Sequence, residues 1–146
     1  LVTQGTLPRE TRRKGRFWIA PTVLADVTPD MTSAREEIFG PIASVIKFST
    51  EEEAIRIANE SEYGLTAAIC TSDEAHAGKI AAKLEAGMIF INNYMRRAFL
   101  GSPFGGQKGS GFGRENAAET LREFTRSKNV RFPSGRGEIP VWPPKD

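Results

Sequence analysis

From Ile42 to Phe48 the chain reads Ile-Ala-Ser-Val-Ile-Lys-Phe. Both alternating faces are apolar, which predicts a strand covered on both sides. Thr50 follows, with Glu53 three residues on, the spacing of a capping box at a helix start. Ala54, Ile55, Ile57 and Ala58 give that helix an apolar face, and Gly64 stands just past its end. Leu65 to Thr71 predicts a second buried strand. Ser72 or Asp73 caps a second helix carrying Ala77, Ile80, Ala81 and Leu84 on one side, closed by Gly87. Met88 to Ile91 predicts a third buried strand. Strand, helix, strand, helix, strand with short connections implies right-handed crossovers and a parallel sheet. The expected fold is therefore α/β, a parallel βαβαβ sheet with helices on both faces. Ligands of such sheets gather at the carboxyl ends of the strands, here Ser49-Thr50, Thr71-Ser72 and Asn92-Asn93-Tyr94.

The flanks are less regular. Up to Gly15 the chain is polar and basic and reads as a loop. Phe17 to Ala20 is a short apolar run closed by Pro21, and Thr22 to Leu24 is a second extended stretch. Beyond the third strand lies a loop containing Gly101, Gly105, Gly106, Gly109, Gly111 and Gly113. Asn116 to Thr125 has helical character, with Ala117, Leu121 and Phe124 roughly along one face, and Asn129 to Phe132 is expected to form a last strand. Pro133, Pro140, Pro143 and Pro144 then enforce an extended tail. This divides the chain into a main unit, 1–125, and a terminal strand and tail, 126–146.

With 146 residues, 39% hydrophobic and 26% charged, the chain is long enough to bury one core unaided. No apolar run approaches bilayer length and no secretory signal is visible, so the cytoplasm is the default location. The chain opens on Leu1, not Met, and a preceding segment is expected. A formal charge of +2 is too small to call for a polyanionic partner. Arg9, Arg12, Arg13, Lys14 and Arg16 crowd one stretch, but no interleaved aromatics offer bases a stacking surface, and nucleic acid is not expected. One cysteine, Cys70, and one histidine, His76, exclude an internal disulfide, a cysteine-based zinc site and any site needing two imidazoles. Cys70 falls inside the second strand, where a thiol behaves as a small hydrophobe and burial raises its pKa. His76 is expected to face solvent, so a nucleophile–base pair is not anticipated.

Three stretches carry a more specific signal: Glu36 to Pro41 (EEIFGP), Asn59 to Leu65 (NESEYGL), and Ser102 to Glu115 (SPFGGQK, then SG and GRE). In this order and at these separations they resemble the aldehyde dehydrogenase superfamily, over about 15–132. The resemblance implies a catalytic-domain portion of an NAD- or NADP-dependent enzyme that oxidises an aldehyde to a carboxylic acid. It implies that Glu37 binds the hydroxyls of the nicotinamide-side ribose, a task suited to a carboxylate accepting two charge-assisted hydrogen bonds. Phe39 is implied to pack near the nicotinamide, with Gly40-Pro41 turning the chain into the next strand, and Leu65 to lie close to the cofactor. Phe104 matches an aromatic lining the aldehyde tunnel. Glu115 matches a glutamate that in some members belongs to a buried proton path, although an ordinary ion pair with Arg114 is an equal reading. Taken singly, Glu37 reads as a solvent-facing helix-end carboxylate and Phe39 as plain core.

In the resembled family a cysteine thiolate attacks the aldehyde and a glutamate activates water, and both precede the residue matching Glu37 by more than the 36 positions available here. The resemblance therefore implies a C-terminal portion without nucleophile, general base or main dinucleotide fold, inactive by itself. It also implies a homo-oligomer, dimer or tetramer, joined through the strand at 126–132. Two other readings share the fold: a non-catalytic scaffold, and a nucleotide-binding module using the glycine loop. The second is disfavoured because Gly109 to Gly113 lacks the G-x-G-x-x-G spacing and the preceding strand. Arg96 and Arg97 are a candidate signal for an anionic aldehyde; the substrate and the choice of NAD or NADP are otherwise not legible.

Overall fold

A computed structural model of the chain describes residues 2–7, 9–10, 17–93 and 100–132. Its elements are β1 (Thr3–Gln4), β2 (Thr22–Leu24), α1 (Thr32–Arg35), β3 (Ile42–Ser44), α2 (Glu51–Asn59), β4 (Tyr63–Gly64), β5 (Thr66–Ile69), α3 (Glu74–Ala81), β6 (Met88–Ile91), β7 (Gln107–Lys108) and α4 (Ala118–Glu123). The α/β class expected from the pattern is what forms.

Both long helices start where the sequence places them. The Thr50 hydroxyl accepts from the Glu53 amide at 3.2 Å, and the Glu53 carboxylate reaches back to the Ser49 amide at 2.8 Å. At α3 it is Asp73, not Ser72, that caps, accepting from the His76 amide at 2.9 Å. Each cap satisfies a donor that the first helical turn leaves unpaired. The strands on either side of α3, β5 and β6, pair in parallel, Thr66 to Met88 through Ile69 to Ile91. Ala77 of α3 is completely buried.

The pairing of the other strands differs from a single βαβαβ sheet. β3 is joined in parallel to β2 (Thr22 to Ile42), β1 adds antiparallel to β2, and β4 pairs antiparallel with β7. Three ladders result among the described residues, with β3 and β5 in different ones. Periodicity marks a segment as extended but carries no information about its partner, so the neighbour of β3 was not readable. Asn129 to Phe132, expected as a last strand, makes no ladder; an extended segment becomes a strand only where another edge supplies its hydrogen bonds.

Burial also falls short of the expectation. Among the described residues only Ala20, Val27 and Ala77 are buried hydrophobics, and no large side chain is fully buried. Along β3 and the residues after it exposure alternates, with Val45 and Phe48 open, so one face is covered where two were expected. Phe17, Leu100, Phe112, Phe124 and Phe132 stand in solvent. The described residues do not bury a core of the size their length would allow.

Candidate functional site

The Glu36–Pro41 segment follows α1 and leads straight into β3. Its backbone is bent by two short-range bonds, Gly40 N–H to the Ile38 carbonyl at 2.7 Å and Ile42 N–H to the Gly40 carbonyl at 2.8 Å. The Pro41 carbonyl accepts from Thr22 at 2.9 Å, which pins the bend to β2. Glu37 and Phe39 project from this bend. Glu37 is exposed and takes part in none of the ion pairs among the described residues. Phe39 is 93% exposed. That removes the reading of Phe39 as core within this chain; an aromatic ring held in water by a bent backbone is presented, not packed. Leu65 lies between β4 and β5, 38% exposed, and no hydrogen bond joins it to the Glu37 segment among the described residues.

The glycine loop is bonded both to itself and to its neighbours. Phe104 and Glu115 form an isolated antiparallel bridge, with reciprocal amide-to-carbonyl bonds of 2.9 and 2.7 Å. Two positions picked for different roles are therefore brought together at the loop's base. The Arg114 guanidinium donates across the loop to the Gly106 carbonyl at 2.9 Å and to Gly113 at 2.6 Å. Of the two readings of Glu115, the ion pair with Arg114 does not form: the guanidinium is taken up by backbone oxygens inside the loop, and Glu115 is exposed.

At its far end the loop docks on the turn after α2. Gly109 N–H donates to the Glu62 carbonyl at 2.9 Å, and the Ser110 hydroxyl accepts from Gly64 N–H at 3.0 Å. Lys108 has a φ of +54°, a left-handed conformation costing about 1 kcal/mol for a residue with a Cβ. Its ammonium donates to the carbonyls of Asn59 at 2.6 Å and Ser61 at 3.2 Å and meets the Glu85 carboxylate at 2.6 Å. Close approach explains several of the glycines. A Cβ at Gly87 would sit 1.8 Å from the Gly105 carbonyl oxygen, one at Gly64 2.6 Å from that of Glu85, and one at Gly105 2.5 Å from that of Gly113. Gly101 and Gly111 stand in open space and serve instead through their left-handed φ of +93° and +108°. Asn59 closes the arrangement: its side chain donates to the Lys83 carbonyl at 2.8 Å and accepts from the Glu85 amide at 2.9 Å. Sequence reasoning gave Arg114 a partly structural role, which its bonds across the loop fit, but missed Asn59 and Lys108 as organisers. A polar residue ending a helix and a lysine inside a glycine loop were the signals available for those two.

Cys70 corrects an expectation. It is exposed and free, one residue past the end of β5, so the thiol is not the buried hydrophobe that the apolar run suggested. The run continues beyond the ladder, and nothing described covers its last residues. His76 Nε2 is held by the Glu51 carboxylate, which also lies 3.6 Å from Lys83. The hydrogen bond from His76 first, then its charge and that of Lys83, keep the Glu51 carboxyl below its ordinary pKa, against some desolvation. The imidazole belongs to a link between α2 and α3, and no Cys70–His76 pair exists. An open cleft of about 670 Å³ is lined by Asp30, Arg35, Glu36, Ile57, Glu62 and Tyr63 among others. Glu37, Phe39, Leu65, Phe104 and Glu115 all lie outside it. Arg12, Arg13, Lys14, Arg16, Tyr94, Arg96, Arg97 and the proline-rich tail fall outside the described residues.

Comparison with known proteins bears directly on this geometry. The family model described as "Aldehyde dehydrogenase family" matches residues 1–130. The chain belongs to the aldehyde dehydrogenase family. It is 51% identical over 142 residues to aldehyde dehydrogenase citD of Monascus ruber, covering 97% of this chain and 28% of that protein. It is 46% identical over 140 residues to a betaine aldehyde dehydrogenase of Sinorhizobium fredii, covering 96% of this chain and 28% of the relative. Among solved structures, the Mycobacterium tuberculosis aldehyde dehydrogenase complexed with NAD+ superposes with a TM-score of 0.82 at 46% identity, over 94% of this chain and 28% of the other. The chain thus spans little more than a quarter of these relatives. No helix among the described residues is long and apolar enough to cross a membrane.

Proposed function

We propose that this chain supplies part of the cofactor and aldehyde contacts of an NAD- or NADP-dependent aldehyde dehydrogenase that makes a carboxylic acid through a cysteine thiohemiacetal, the nucleophile and general base lying outside these residues. The observation that carries this reading is the bend at Gly40-Pro41, at which Glu37 has no ion pair among the described residues and Phe39 stands in solvent, at the entrance to β3. A carboxylate on a fixed backbone suits a ribose diol, whose two hydroxyls donate to its two oxygens. Phe39 offers a flat apolar wall, Leu65 a second apolar contact, and Phe104 a side to the aldehyde tunnel, with Glu115 beside it on the proton path. The bound nicotinamide would accept the hydride. Solvent-exposed apolar groups at Leu121, Phe124, Val130 and Phe132 favour a homo-oligomeric assembly through 126–132, a dimer or tetramer. Location in the cytoplasm and a small-molecule aldehyde as partner complete the reading.

The test is NAD+ titration of the intact protein followed by backbone amide shifts. The expected result is a response at Glu37 to Phe39 and at Leu65, weakened about tenfold by Glu37→Gln, which keeps the shape and removes the charge. A response confined to Gly105 to Gly113 would favour the nucleotide-binding alternative instead. The 146 residues alone are expected to reduce no NAD+ with any aldehyde, and measurable turnover would overturn the placement of the nucleophile elsewhere.

A further inference from the structure

The ammonium of Lys108 is a point at which separate segments of the chain meet. It rises from β7, which pairs with β4; it donates to the last carbonyl of α2 at Asn59 and to the Ser61 carbonyl in the turn beyond; and it meets Glu85 in the turn between α3 and β6. An ammonium has three donors and no acceptor, and here each donor has an oxygen within 3.2 Å. The Asn59 carbonyl is one of those a helix end leaves unpaired, where a cation is favoured. The residue making these contacts lies in the left-handed region, at a φ of +54°. A long apolar side chain could fill the same volume, but it would leave two carbonyls and a carboxylate without their donor.

Lys108 sits four residues from Phe104, and the loop between them is spanned by Arg114 and closed by the Phe104–Glu115 bridge. Fastening one end of this loop fixes where the other end stands. We propose that Lys108 is a positioning residue: its ammonium ties the glycine loop to the end of α2 and so sets the place of the Phe104–Glu115 bridge relative to β5 and β6. The further consequence, that this sets the fit of an aldehyde against Phe104, rests on the function proposed above.

The experiment compares Lys108→Met and Lys108→Arg in the intact protein by amide hydrogen exchange, then by shift titration with benzaldehyde and separately with NAD+. Expected for Lys108→Met is a loss of protection of about tenfold or more at Gly64, Phe104, Gly109 and Glu115, with Val45 and His76 unchanged. Lys108→Arg, which keeps the charge and several donors, is expected to restore most of it. The half-saturating benzaldehyde concentration at Phe104 is expected to rise about fivefold, while that of NAD+ at Glu37 stays the same; a merely structural role would move both together. Uniform loss of protection, or loss at none of the four amides, would overturn the tie. If exchange behaves as expected but benzaldehyde leaves Phe104 unmoved in the unsubstituted protein, the aldehyde consequence is overturned. Failure of NAD+ to shift Glu37 counts against the proposed function and not against the exchange result.

Discussion

The glycine loop and the Glu36–Pro41 bend both lie within the stretch that matches the family, yet they are built on opposite terms. The loop spends its polar groups on itself and its neighbours: Arg114 on Gly106 and Gly113, Ser110 on Gly64, Lys108 on Asn59, Ser61 and Glu85. The bend uses its backbone alone, and leaves the Glu37 carboxylate and the Phe39 ring without partners among the described residues. A family motif can therefore mean a chain that packs on itself or a chain that holds side chains out for something else. Burial and hydrogen bonding tell the two apart; the motif does not.

The sharpest way to break this comparison is Gly87→Ala. A Cβ there meets the Gly105 carbonyl at 1.8 Å, a backbone atom that cannot swing aside, so urea unfolding is expected to show a loss on the order of 3 kcal/mol or more. An unchanged midpoint would mean the loop is not docked as described. Removing the α2 cap with Thr50→Ala is expected to cost about 1 kcal/mol in the same assay. Gly78→Ala works in the other direction. Gly78 lies within α3 with open space around its would-be Cβ, so alanine is expected to add about 0.5–1 kcal/mol.

Acid titration probes the α2–α3 link. The Glu51 carboxyl is held below its ordinary value, chiefly by the hydrogen bond from His76. Its contribution is therefore fully present above the ordinary glutamate range and is lost as pH falls through the lowered value. Stability measured against pH should have a shallower acid limb in Glu51→Gln; identical limbs would remove the link from the account. The smallest effect is expected at Phe39→Ala, within about 0.5 kcal/mol of no change, because the ring is already in water. A loss above about 1 kcal/mol would show Phe39 to be packed and the contrast between the two regions to be false.

Much of the β5–α3–β6 unit was legible, since its signals act over a few residues. Asp73 caps three positions before His76, apolar residues recur along α3, and Gly87 closes the turn. The capping of α2 by Thr50 and Glu53 was legible for the same reason. The pairing of β3 with β2 was not, because the ladder joins residues 20 apart and any extended apolar segment could have served. Cys70 was misplaced by one residue: the apolar run passes beyond the ladder, and a run cannot show where its partner ends. The Phe104–Glu115 bridge had no sequence signature at all.

What the amino-acid sequence determined by itself was local and categorical: the starts of α2 and α3, the extended segments at β2, β3, β5 and β6, the α/β class and the family; α1 and β1 carried no signal that was read. What only the tertiary structure decided was which distant groups meet, Lys108 with Asn59 and Glu85, Phe104 with Glu115, and which side chains meet nothing described, Glu37 and Phe39. The reason is physical. Caps and periodicity are settled within one turn or one pleat, whereas a contact between residues tens of positions apart depends on how every intervening element packs.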